Sequence, residues 1–228
     1  PRYRCEMPPS SSDRETAVTG ISWNPRMTSV FAVASKGWGV CIYDDREFTT
    51  VGTAAADRPV LGIEWQPHSE FVFASSDARL LAFWDARKMS VPTTLVVNPH
   101  GTSGTKAMDW SPLRTGLIAT GGGNDDGCVR VWDTTSSASP VCIAEVSTSS
   151  QVSDIMWSPL SADELLSSHG HGGNNMRLWC LHGQNPTCLL EMENFGTADP
   201  QHNSTSVCPR ILSIAGSPDG KSVVSAYG

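Results

Sequence analysis

No apolar run in the 228-residue sequence approaches the ~18 residues that a membrane-spanning helix needs, so nothing in it calls for a membrane partner. No charged segment followed by an apolar stretch opens the chain, and nothing suggests secretion. Cations are in deficit. Sixteen Lys and Arg stand against 23 Asp and Glu, a formal net charge of −7 at pH 7. Phosphate recognition needs a basic stripe, so the balance argues against a nucleic-acid partner. No CxxC occurs, and the seven cysteines are irregularly spaced at 5, 41, 128, 142, 180, 188 and 208. That odd number without a secretory signal reads as buried free thiols rather than a disulfide framework. The sequon Asn203-Ser204-Thr205 is then only a polar loop. No nucleophile–base constellation stands out, so no enzyme is expected.

What is present is tryptophan, and it is periodic. Trp23, Trp65, Trp110 and Trp157 recur at intervals of 42, 45 and 47, and each begins a Trp-x-Pro tripeptide. A second aromatic series, Tyr43, Trp84, Trp132 and Trp179, follows at intervals of 41, 48 and 47. Two phased aromatic ladders with a period of roughly 40–45 residues are the signature of WD-type propeller blades. The expected class is all-β, a WD-repeat β-propeller, and the functional question moves from catalysis to recognition.

Each repeat has one grammar. A first strand (a) ends at the first aromatic, a turn carries the proline, and a second strand (b) is an apolar run. A short polar turn leads to a third strand (c) ending at the second aromatic, and a fourth (d) closes the unit. Residues 18–228 are expected to form this propeller. Residues 1–17, whose first 16 are rich in Pro and Ser, read as a linker or the end of a preceding blade. The fifth unit, RILSIAGSPDGKSVVSA (210–226), has Gly216 in place of the anchor tryptophan and lacks strands c and d. The expectation is about four and a half blades. Because the sequence opens at Pro1 and closes within a repeat, a segment of a longer gene product is expected. The eight aromatic anchors should be mostly buried between neighbouring blades, tryptophan having the largest apolar area available.

In a four-stranded antiparallel blade the d–a and b–c loops share one face of the ring, where propellers commonly gather a binding surface. Gln151 stands six residues before Trp157 and Arg210 six before Gly216, both at the start of strand a. Asn124 stands eight before Trp132 and Asp77 seven before Trp84, both in b–c turns. All four fall on that face. A turn-capping role is an equal reading for Asp77 and Asn124. It is weaker for Gln151 and Arg210, since an inward arginine calls for an anionic partner. Gly121-Gly122-Gly123 lacks the Lys-Ser/Thr and helix of a phosphate loop and reads as close blade packing. His169 and His171 lack further ligands for a metal, and His169 reads as part of a hydrogen-bonded network within its blade. The pairs Asp44-Asp45 and Asp125-Asp126 read as turn residues. No cofactor or metal is expected.

Residues 104–228 carry a more particular pattern. GTKAMDWSP (104–112), IATGGGNDDGCVRVWD (118–133), SSQVSDIMWSP (149–159), ELLSSHGHGGNNMRLW (164–179) and RILSIAGSPDGKSVVSA (210–226) resemble, in order and spacing, successive blades of the Fizzy family. These proteins are coactivators of the anaphase-promoting complex, a ubiquitin ligase. The match covers a little over half the chain, and residues 18–90 match only as generic blades. Gly173-Asn174-Asn175 departs from the family's QNQ-like turn, and Asp77 stands where the family has Asn.

The resemblance implies a seven-bladed ring that receives substrates carrying short degrons, chiefly the KEN box and the D box. Gln151, Arg210 and Asn124 fall where the family binds the KEN box, and Asp77 is adjacent by position. It implies anaphase-promoting complex subunits and degron-bearing cell-cycle substrates as partners, and action in nucleus and cytoplasm. The family's docking tails, an N-terminal C-box and a C-terminal Ile-Arg, are not within these 228 residues. The alternative is a generic WD-repeat scaffold subunit of another multiprotein complex, with a receptor propeller of another kind as a third reading.

Overall fold

The computed structural model describes residues 17–46, 49–135, 139–170, 172–182, 185–193 and 210–228. The expectations for residues 1–16, His171, the sequon and the connection at 194–209 lie outside the described residues. The described residues form eighteen strands. The first sheet holds β1 (Val18–Trp23), β2 (Val30–Ser35), β3 (Gly39–Asp44) and β4 (Thr49–Ala54). The second holds β5 (Gly62–Trp65), β6 (Val72–Ser76), β7 (Leu80–Asp85) and β8 (Thr94–Val97). The third holds β9 (Thr105–Trp110), β10 (Leu117–Gly122), β11 (Cys128–Asp133) and β12 (Val141–Ser147). The fourth holds β13 (Val152–Trp157), β14 (Glu164–His169), β15 (Asn175–Cys180) and β16 (Thr187–Glu193). A final pair, β17 (Ile211–Gly216) and β18 (Val223–Tyr227), forms a two-stranded sheet.

Every sheet is antiparallel with strands in sequence order, the arrangement of WD-type propeller blades. In three of the four-stranded sheets the c–d register shifts beside the second aromatic, at Ile42/Tyr43, Val131/Trp132 and Leu178/Trp179. Such a bulge adds local twist to the outer strand.

The core lies between sheets rather than within one. Trp65 packs with Val30, Ile42 and Phe73 across the first interface. Trp110 packs with Phe83, Ile118 and Trp132 across the second, and Trp157 with Val131, Ile155 and Trp179 across the third. Inner strands are therefore buried on both faces. In β10, Leu117 and Ala119 face the fourth sheet while Ile118 faces the second, which explains why the b strands read as continuous apolar runs. The first strands β1, β5, β9, β13 and β17 pack in succession and form the inner wall. Indole N–H groups pin neighbouring blades: Trp110 Nε1 donates to Glu64 O (3.2 Å) and Trp157 Nε1 to Asp109 O (3.1 Å).

The anchors are mostly buried, as expected: Tyr43, Trp65, Trp110, Trp132, Trp157 and Trp179 are inside, and two stand apart. Trp23 is 55% exposed and Trp84 is half-buried. The cause at Trp23 is geometric. A first-series tryptophan is covered by the sheet before its own, and no described sheet precedes β1. Trp23 keeps only its tilted contact with Phe31, ring centroids 5.0 Å apart.

Candidate functional site on the d–a and b–c loops

The loops at one end of the sheets form a continuous surface. Gly123 N donates to Gly104 O (3.3 Å), joining the b–c turn of the third sheet to the d–a loop before β9. Thr148 N donates to Gly127 O (2.8 Å), and Gly173 packs on Ser150. The triple glycine makes this contact possible, as its packing reading expected. A Cβ on Gly121 would overlap the Val152 side chain of the next blade, and one on Gly122 would overlap Asp126.

Under this surface stands a post that sequence reasoning missed. Trp132 Nε1 donates to Thr120 Oγ1 (2.8 Å), Thr120 Oγ1 lies 2.8 Å from His100 Nε2, and His100 Nδ1 lies 2.7 Å from Asp126 Oδ2. His100 Nδ1 also lies 2.8 Å from the Arg130 guanidinium, so it sits between a carboxylate and a cation. Burial above all pushes the His100 pKa down, against the pull of Asp126. Burial would raise Asp126, but hydrogen bonds from His100 and Arg130 outweigh it and hold the carboxyl below its ordinary range. Arg130 adds a clamp, 2.9 Å from Asp126 Oδ1 and donating to Pro99 O at 3.1 Å. Asp126 is thus more than the turn residue expected from its place beside Asp125. A histidine between strands d and a, with a carboxylate in the b–c turn, was the available signal.

The fourth sheet has a shorter version. Trp179 Nε1 donates to Ser167 Oγ (2.8 Å), which lies 2.8 Å from His169 Nε2. This places His169 in a blade network, as its sequence reading held. Burial first, then Arg177, lowers its pKa to about 3, so it stays neutral. Among the described residues its buried Nδ1 has no hydrogen-bond partner.

The structure puts the four candidate residues on this end. Gln151 directly precedes β13 and its carbonyl accepts from Gly170 N (2.9 Å). Arg210 directly precedes β17 and its carbonyl accepts from Gly228 N (3.2 Å). The two are therefore equivalent positions of successive units, each at the inner strand's start. Gln151 is half-buried beside Gly170, and Arg210 is exposed. Asn124 is exposed on the turn between β10 and β11. Asp77 is largely occupied by its own turn: Oδ1 accepts from Arg79 N (2.6 Å) and Leu80 N (2.7 Å), an Asx cap. Beside it, Val40, Ala54, Val60, Ala82 and Trp84 line a groove of about 440 Å³ between the first two sheets. The departing turn is distinctive too. Asn174 has φ of +48°, and Asn175 Nδ2 bonds Glu191 Oε1. Among the described residues no group of three or more His, Cys, Asp or Glu is arranged to hold a metal ion. What the surface offers chemically is hydrogen bonding and charge.

Comparison with known proteins bears on what such a surface is for. Residues 92–133 match the WD domain, G-beta repeat, a stretch running from before β8 through β11. The chain is 34% identical over 173 residues to "Cell division cycle 20.5, cofactor of APC complex" of Arabidopsis thaliana, covering 74% of this chain and 34% of that protein. It is 29% identical over 228 residues to "Protein FIZZY-RELATED 2" of the same plant, covering 99% and 42%. It is 26% identical over 244 residues to "Anaphase-promoting complex subunit cdh1" of Dictyostelium discoideum, covering 93% and 30%. A chain of the solved structure "Crystal Structure of Mitotic Checkpoint Complex" superposes with a TM-score of 0.76 at 28% identity, over 92% of this chain and 58% of that one. The chain spans 30% to 46% of the curated relatives' length. By this likeness in sequence and architecture, the chain is a WD-repeat propeller whose homologues are Cdc20, Cdh1 and Fizzy-related proteins.

Proposed function

We propose that the protein containing this chain is a substrate-recognition coactivator of the anaphase-promoting complex. Its propeller binds short degron motifs and the ligase performs the chemistry. Its partners are anaphase-promoting complex subunits and degron-bearing cell-cycle substrates, met in the nucleus and cytoplasm. The observation that carries the reading is the equivalence of Gln151 and Arg210 at the starts of β13 and β17. Two long polar side chains at matching points of adjacent inner strands suit an extended peptide crossing the channel mouth. The Arg210 guanidinium offers a planar fork to carboxylate or amide oxygens of a KEN motif. Gln151 supplies an amide, and Asn124 lies on the same rim. Asp77 is the weakest member, because its Oδ1 is already held by its turn.

Titrating a KEN-containing peptide against the chain and its Arg210→Ala variant tests this. Loss of a charge-assisted contact is expected to cost about 1.5–3 kcal/mol of binding. Equal affinities would reject Arg210 as a degron contact.

A further inference from the structure

The second sheet repeats the post of the third with two side chains cut back to alanine. Thr120, Ser167 and Ser75 are equivalent residues. Each stands two positions past the cross-strand partner of its tryptophan: Ile118 opposite Trp132, Leu165 opposite Trp179 and Phe73 opposite Trp84. Each hydroxyl accepts the indole N–H of that tryptophan at 2.8 Å. Thr120 and Ser167 also lie 2.8 Å from an imidazole Nε2, and Ser75 meets no imidazole. His100 stands ten residues before Trp110, whereas Ala55 stands ten before Trp65. Arg130, opposite Thr120, has its counterpart in Ala82, opposite Ser75.

The groove of about 440 Å³ between the first two sheets opens at these positions, with Ala55, Ser75, Asp77, Ala82 and Trp84 on its wall. Three further observations point to an occupant. Ser75 is 5% exposed, and among the described residues its hydroxyl accepts from Trp84 but has no acceptor for its own proton. In the third sheet the equivalent hydroxyl meets the side chain from the Ala55 position, so Ser75 Oγ addresses the same space. Asp77 accepts both of its turn bonds on Oδ1, and among the described residues nothing bonds Oδ2. Trp84 stays half-buried, whereas Trp132 and Trp179, in the sheets that carry a histidine, are 7% and 4% exposed. Both walls of the groove are described sheets, so this exposure does not come from a missing neighbour.

We propose that this groove receives a histidine side chain from a partner peptide, its Nε2 accepting from Ser75 Oγ and its Nδ1–H donating to Asp77. The protein itself shows the fit, since His100 bridges a hydroxyl and an aspartate in the same way one blade on. Charge complementarity supports an uncharged ring. The rim sets Asp57 and Asp77 against Arg58 and Arg79, a balance that offers a charged side chain no net partner for the water it would lose. Val40, Val60 and Leu95 supply apolar wall for the residues beside the histidine. The partner thus completes from outside the post that the third sheet completes with its own loop.

The test is two-dimensional NMR of the indole N–H groups in the 228-residue chain, with the Trp84 signal identified by Trp84→Phe. The probe is acetyl-Gly-Val-His-Val-Gly-amide. Phenylalanine in place of the histidine keeps a planar ring and removes both nitrogens, and τ-methylhistidine blocks Nε2 alone. Expected is a saturable shift of the Trp84 signal with the histidine peptide. Either replacement peptide should bind about tenfold more weakly, since each leaves the buried hydroxyl without an acceptor. Ser75→Ala should weaken the histidine peptide about fivefold and bring it close to the phenylalanine peptide. No shift at Trp84, equal binding of the phenylalanine peptide, or equal binding to Ser75→Ala would overturn the proposal. A Trp84 signal that moves with chain concentration alone would assign the groove to a second copy of the chain and overturn it too. If Ser75→Ala does not fold, the two replacement peptides decide.

Discussion

The first and third sheets follow the same repeat, yet their lead tryptophans differ completely in environment. Trp110 is 2% exposed between the second and third sheets, while Trp23 is 55% exposed. The motif Trp-x-Pro is the same in both. The difference shows that the repeat specifies the strand and its turn, whereas the adjacent blade supplies the burial. Stability in such an array is a sum of unit and interface terms. The first sheet also holds a small buried cluster, Val33, Cys41 and Tyr43 with Phe31 and Trp38 packed against it.

The largest expected effect follows from that contrast. Trp110→Ala should cost about 3–5 kcal/mol, the range for emptying a large aromatic from a packed site. Trp23→Ala should cost about 0.5–1.5 kcal/mol, the worth of its aromatic pair with Phe31. Urea denaturation of both variants checks the difference. Equal losses would mean that Trp23 is covered in solution.

The next effect sharpens the comparison between the two histidine networks. His100 bonds on both ring nitrogens, to Asp126 and Thr120, whereas His169 bonds through Nε2 and leaves Nδ1 orphaned. His100→Ala removes two bonds at once, one to a carboxylate that keeps Arg130 and one to a hydroxyl that keeps Trp132, so a loss of about 2–3 kcal/mol is expected. His169→Ala removes one bond and one unsatisfied atom together, so about 1 kcal/mol is expected beyond the packing lost. Denaturation midpoints in the reverse order would show that the orphan nitrogen has a partner in solution.

These networks also mark how far the sequence could be read. Strand order and anchor positions were legible because the b strands are apolar on both faces and the a and c strands of the four-stranded sheets carry an aromatic at or beside their ends. His169 was legible because it lies two residues from Ser167 on one strand. His100 was not, because its partners Thr120 and Asp126 are brought to it by the sheet and not by local spacing. The exposure of Trp23 depends on a neighbouring blade, and a per-repeat pattern carries no information about which neighbours are present. Gln151 and Arg210 were legible as positions through their equal offset from the strand end. The inner-wall acids Glu64 and Asp109 were not, since each looks locally like a polar residue beside a tryptophan.

Those acids make stability depend on pH in a direction opposite to the carboxylates outside. Glu64 is raised to about 8 and Asp109 to about 7, so the folded state holds protons that the unfolded chain releases from about pH 4 upward. Their contribution is fully present below that range and falls as pH rises through 7 and 8. Asp44 behaves in the reverse sense. Hydrogen bonds from Arg46 lower it to about 2, so its contribution is present above about pH 4 and fades in stronger acid. Denaturation midpoints should therefore fall from about pH 6.5 to 8, above the range in which the buried neutral His100 and His169 gain stability with pH, and Glu64→Gln with Asp109→Asn should flatten that slope. A slope unchanged in the double variant would show that other groups set it.

The smallest expected effect compares two carboxylates on one arginine. Arg130 NH1 lies 2.9 Å from Asp126 Oδ1, whose side chain is 14% exposed, and Arg130 Nε lies 2.7 Å from Glu145 Oε2, whose side chain is 54% exposed. The second distance is the shorter, yet the pair sits in water. It gains little Coulomb energy there, holds two long side chains in one geometry, and is screened by salt. Glu145→Gln should therefore cost only about 0.2–1 kcal/mol, and the difference should vanish in molar salt. Asp126→Asn should keep most of its larger cost in the same salt, because the imidazole beneath it is buried and its bonds are shielded from ions. Repeating both denaturations at low and high ionic strength separates the two. If Glu145→Gln proves the costlier, Arg130 serves mainly to tie β11 to the outer strand β12, and the post under the loop face stands without it.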